Sequence, residues 1–133
     1  MNKKRLMKEQ CYLEALENSV VSVEMIINRL RQIEDKMGIF DKSILLHDQT
    51  ETILDLELHL ASLCILLRKM SENMFIVVSD ALRADMNSII HSNRFEYDKG
   101  KIVVYSQKGR EEVNLDELLK FCHCILSNDK VCI

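Results

Sequence analysis

Two apolar stripes that advance by steps of three and four residues constrain this chain most, because no proline interrupts them anywhere in the sequence. The first passes through Leu13, Leu16, Val20, Val23, Ile27 and Leu30, with Leu6, Ile33 and Met37 extending it at both ends. The second passes through Ile53, Leu56, Leu60, Leu63, Leu67, Met70 and Met74. Steps of this size keep side chains on one side of an α-helix, so each stripe predicts a helix packed lengthwise on a partner. Only three glycines, Gly38, Gly100 and Gly109, are available as stops or turns, too few for a sandwich or barrel. The expectation is a mainly α protein: a four-helix bundle with a long N-terminal helix and a short β-hairpin before the last helix. Its 133 residues suit one domain, expected to span residues 1–133.

The boundaries follow from local chemistry. The first helix is expected over about residues 3–37, with Gly38 as its C-terminal stop and Ile39 making the accompanying apolar contact. Residues 39–49 lose the period and read as an inward-packing connection. Asp48 and Glu51 have capping-box spacing, so the second helix is expected to begin near Gln49 or Thr50. Leu54, Leu58, Ile65 and Leu66 give this helix a second apolar face, which predicts a central element covered on two sides. The stripe continues past Ser71 toward Ala81, but an unbroken helix of about 40 residues would be about 60 Å long. A break near Ser71 is therefore expected, with Ser71-Glu72-Asn73 able to cap the next helix. That helix ends near His91, Ser92 and Asn93. Phe95-Glu96-Tyr97, a turn at Asp98-Lys99-Gly100, and Ile102-Val103-Val104-Tyr105 read as short strands. Lys108-Gly109 supplies another turn before Glu112-Val113. Asn114 with Glu117 caps the final helix, whose stripe is Leu115, Leu118, Leu119, Cys122 and Leu126.

Composition removes several classes of function. A net charge of −3 gives no overall attraction to nucleic acid, so any such contact needs a local patch. No apolar run is long enough for a transmembrane helix, and the basic start has no apolar segment behind it to make a secretory signal. Five cysteines in irregular positions suggest reduced thiols, hence a cytoplasmic protein. There is no glycine-rich phosphate loop and no Ser-His-Asp order. No cofactor is implied.

The candidate residues are few. Arg83, Asn87 and His91 are spaced by four, which aligns them along one helix. A cation, an amide and an imidazole there can hold a phosphate and move a proton from a ribose 2′-hydroxyl. The plainer reading makes Arg83 and Asn87 surface residues and His91 a cation at a helix C-terminus, where the dipole favours it. Arg94, Lys99 and Lys101, with Lys108 and Arg110, surround the strands and could meet a phosphate backbone. Glu96, Asp98, Glu111 and Glu112 interleave with them and weaken that field. Cys122-His123-Cys124 invites a metal reading, yet residues two apart on a helix point about 200° apart, so idle thiols are expected and no metal site.

The order of these features resembles the HEPN superfamily of small α-helical bundles. The likeness rests on Leu82-Arg83 through Asn87 to His91-Ser92, then Phe95-Glu96-Tyr97-Asp98, a short strand, and Leu115-Asp116-Glu117-Leu118. Family members commonly carry an arginine, a polar residue after it, and a histidine after four to six intervening residues. In the usual register Asn87 and His91 match, but Met86 stands at the arginine and Arg83 lies one turn below. The resemblance implies a homodimer of toxin–antitoxin or phage-defence type. It also implies a metal-independent ribonuclease, or a degenerate member that binds RNA or a partner protein. In an active member His91 would be the general base or acid, Arg83 would steady the phosphate and Asn87 would orient either. The alternative is a non-catalytic helical interaction module that dimerises through its long helices.

Overall fold

A computed structural model describes residues 3–37, 42–98 and 101–127 of the protein. The order of elements is α1 (Lys3–Lys36), α2 (Lys42–Glu72), α3 (Asp80–Ile90), β1 (Arg94–Asp98), β2 (Lys101–Ser106), β3 (Gly109–Val113) and α4 (Leu115–Leu126). Among the described residues the protein is mainly helical, with four helices and a small antiparallel sheet ahead of the last one. No helix among the described residues is long and apolar enough to cross a membrane.

The first stripe folds as its spacing predicts. Leu16, Val20, Val23, Leu30 and Ile33 are buried on α1, joined by Ile26. Leu6, expected to extend the stripe, is 45% exposed. Arg29 meets Asp55 at 3.8 Å, and Arg5 donates to the Asn73 carbonyl at 3.1 Å, so α1 and α2 run antiparallel. The stop expected at Gly38 and Ile39 lies outside the described residues.

The start of α2 corrects the sequence reading. The helix begins at Lys42, so residues 42–49 are helical and Asp48 and Glu51 lie inside it rather than at a cap. The inward stripe begins at Leu45, but Gln49 and Thr52 then occupy two of its positions and hide the period. Thr52 is 3% exposed because its hydroxyl donates to the Asp48 carbonyl at 2.7 Å, leaving the methyl to pack inward. Thr50 donates to Leu46 in the same way, at 2.8 Å.

The expected break near Ser71 is present: α2 ends at Glu72. Met74 N–H donates to Ser71 and Phe75 N–H to Met70, both at 3.0 Å, the paired bonds of a Schellman ending. Its left-handed position is held by Met74, at φ 63°, instead of glycine. The turn carries Met74 off the inward stripe, and it is 83% exposed. Lys8 donates to the Asn73 side chain at 3.0 Å, and the Arg5 guanidinium lies 4.5 Å from the Phe75 ring centre. Ser71-Glu72-Asn73 does not cap α3. Ser79 does, its hydroxyl accepting from Leu82 N–H at 3.2 Å after an irregular stretch has used six residues.

Among the described residues three strands form a meander, β1-β2-β3, the third following the expected turn at Lys108-Gly109. The β1–β2 turn at Lys99 and Gly100 lies outside the described residues. Between β2 and β3, Ser106 pairs with Gly109 across Gln107 and Lys108, and Gly109 takes φ 110°, open to glycine but not to side chains. Phe95, Ile102, Val104 and Val113 turn toward the helices and join the core with Leu82, Met86, Ile89, Leu118 and Cys122. Asn114 caps α4 as expected, accepting from Glu117 N–H at 3.1 Å.

Candidate functional site

Arg83, Asn87 and His91 sit on α3 as their spacing requires, all three exposed, with His91 as the C-cap. Its backbone N–H donates to the Asn87 carbonyl at 3.0 Å. Spacing by four aligns residues without superposing them, since each step of four turns about 40° beyond a full circle. Arg83 and His91 are therefore about 80° apart around α3 and about 12 Å apart along it.

That drift sends them to different places. Arg83 and Asn87 line a groove of about 310 Å³ between α2 and α3, together with Arg68, Ser71 and Glu72. His91 and Asn87 line a second groove of about 460 Å³ between α3 and the β2–β3 turn, with Ser88, Lys108 and Glu111. Only Asn87 is common to both. General acid–base chemistry needs its groups within about 3 Å of the reacting atoms. Arg83 and His91 line different grooves, with Asn87 between them.

The second groove is acidic as well as basic. Ser88 donates to the Glu111 carboxylate. Burial raises the Asp85 carboxyl above its ordinary range, with Glu111 and then Glu117 adding to the effect.

The basic residues of the sheet are largely engaged. Arg94 pairs with Glu96 at 3.0 Å and stacks 4.3 Å from the Tyr105 ring centre, while Arg110 meets Glu112 at 3.7 Å. These pairs follow from the register: Arg94 and Arg110 flank Tyr105, and Glu96 and Glu112 flank Val103, on the side turned away from the core. Lys101 lines a separate cleft of about 560 Å³ with Arg31, but Glu24, Glu112 and Asp116 share that cleft. Lys99 lies outside the described residues. In the Cys122-His123-Cys124 run, Cys122 is buried and His123 bonds Glu24 on α1. Cys124 is disulfide-bonded, which corrects the expectation that every thiol is reduced; Cys11, Cys64 and Cys122 are free. Burial pushes the Cys64 and Cys122 thiols up to about 12, far from reactive.

The largest departure is on α2. Its second apolar face was expected to be covered, yet Leu54, Leu58 and Ile65 are 53, 59 and 43% exposed, and only Leu66 packs partly against the core. At the two ends of this outward stripe stand intrahelical ion pairs, His47–Glu51 at 3.2 Å and Arg68–Glu72 at 3.3 Å. The period revealed the stripe; nothing in the period revealed that α1, α3, the sheet and α4 all pack elsewhere.

No family model, curated protein or solved structure matches this chain. What it does has to be argued from its own surface. Two features stand out there: a polar row on α3 divided between two grooves, and an apolar row on α2 that the described residues leave about half exposed.

Proposed function

We propose that this protein is a helical interaction module, a HEPN-like bundle of four helices that is degenerate in its cleavage motif and works by binding another protein chain. The outward stripe of α2 carries this reading. Three large aliphatic side chains in one row cost solubility when left in water, and contiguous apolar patches of this kind mark sites of association. The division of Arg83 and His91 between grooves speaks against ribonuclease chemistry within one chain. The HEPN element rests on the order of motifs from Arg83 to Leu118.

RNA incubated with the protein in EDTA tests this reading, with His91→Ala and Arg83→Ala alongside. The expected result is no cleavage by any of the three. Cleavage by the wild type that is lost in His91→Ala, with the helical signal retained, overturns it. A second reading, RNA binding without cleavage, is favoured by the two guanidiniums of Arg68 and Arg83 that line one groove beside Asn87. It predicts salt-sensitive binding weakened by Arg83→Ala and indifferent to His91→Ala.

A further inference from the structure

We infer that the occupant of the α2 stripe is a second copy of this chain, lying antiparallel across a two-fold axis. The inference rests on the interaction-module reading and names its partner. The outward positions of α2 are His47, Glu51, Leu54, Leu58, Ala61, Ile65, Arg68 and Glu72, which advance by four and three throughout. All are exposed except Ala61, which is half-buried. Read against its own reverse, this row is complementary at every layer. Leu58 meets Ala61 nearest the axis, Leu54 meets Ile65, Glu51 meets Arg68, and His47 meets Glu72. Each pairing occurs twice, as an isologous interface demands.

Charge selects the direction. A parallel pair in register would set Glu51 on Glu51, Arg68 on Arg68 and Glu72 on Glu72, like charges in the seam itself. The antiparallel pair turns the same residues into attractive contacts, and the flanking Asp48 and Lys69 also come opposite one another. Ala61 leaves room for Leu58, so the backbones approach most closely at the axis. The row spans about 38 Å, seven turns of helix. The outward side of α1 offers no such match: it exposes Met7, Val21 and Met25, but Glu14 and Asn18 interrupt it. In this arrangement the partner's Glu51 reaches Arg68 at the mouth of the groove that Arg83 lines.

Light scattering on the full chain, eluted from a sizing column at high micromolar concentration, gives the test. The wild type is expected to be a dimer. Glu51→Arg alone and Arg68→Glu alone each create two like-charge layers and should weaken self-association by roughly a hundredfold. Mixed in equal amounts, the two variants should recover a dimer, because in the mixed pair every altered charge faces an opposite one. Circular dichroism of each variant confirms that the helices persist. A monomeric wild type overturns the second-copy inference and leaves the interaction module with a different protein as partner. Single variants that stay dimeric, or a mixture that stays monomeric, overturn the antiparallel register. RNA cleavage that depends on His91 would instead remove the underlying reading, whatever the oligomeric state.

Discussion

On α2, Leu56, Leu60, Leu63 and Leu67 are sealed from solvent, while Leu54, Leu58 and Ile65 on the opposite side of the same helix remain about half exposed. The two rows use the same residue types at the same spacing. They differ in what the rest of the chain lays over them. α1 and the elements that follow α2 converge on the inward row, and the outward row is left with ion pairs at its ends. A helix that is apolar on two sides is therefore not by itself evidence of a central position. Among the described residues, the chain covers one of the two apolar sides.

The contrast can be broken or sharpened in four ways. Leu60→Ala should lower the free energy of unfolding by about 2–5 kcal/mol, because it opens a cavity in a packed interior. Leu58→Ala should change unfolding of the dilute monomer by less than about 0.5 kcal/mol. Urea titrations of both variants measure the difference, and equal losses would show that the outward row is not outward. Thiol labelling provides a chemical measure of the same divide. Cys11 is exposed and should react readily at pH 8, whereas Cys64 and Cys122 should be slower by roughly a thousandfold until the protein unfolds.

Next in size is the end of α2. Met74 holds a left-handed conformation that glycine adopts freely, so Met74→Gly should gain about 1 kcal/mol, read as a higher urea midpoint. No gain would mean that the exposed Met74 side chain offsets its own backbone cost. The smallest effect is expected at Asp85. Its raised carboxyl means that the folded state holds the proton more tightly than the unfolded state does. Stability therefore falls as pH rises from the ordinary carboxylate range through the raised value. Asp85→Asn should remove that fall, giving a small gain at neutral pH that disappears in acid, measured as melting temperature against pH.

Much of the fold was legible because its helices obey one period. The stripe from Leu13 to Leu30 located α1, and the spacing of Asn114 and Glu117 located the start of α4. The start of α2 was not legible because Gln49 and Thr52 stand at inward positions. A hydroxyl that satisfies itself on its own helix looks in sequence like a polar break. The end of α2 was placed correctly, but the cap of α3 was not, because Ser79 follows six residues with no period to announce them. The candidate site was legible only as alignment. Arg83, Asn87 and His91 do share a helix, yet whether aligned groups converge depends on which elements flank them, and α2 and the β2–β3 turn flank different members of the row. The open face of α2 had a signal that spacing alone does not display: the charges Glu51 and Arg68 stand in mirror order about the middle of the stripe.

The contacts of Arg5 and Lys8 with the turn after α2 close the open end of the α1–α2 hairpin and make it sensitive to length. Arg5 acts on a carbonyl 68 residues further along, so this contact forms only when α2 ends where Asn73 can meet the start of α1. Arg5 and Lys8, 65 to 69 residues earlier in the sequence than Asn73 and Met74, thus tie the start of α1 to the end of α2. Because one residue more or less in α2 would swing Asn73 by about 100° around the helix, these contacts form only on a hairpin of the correct length.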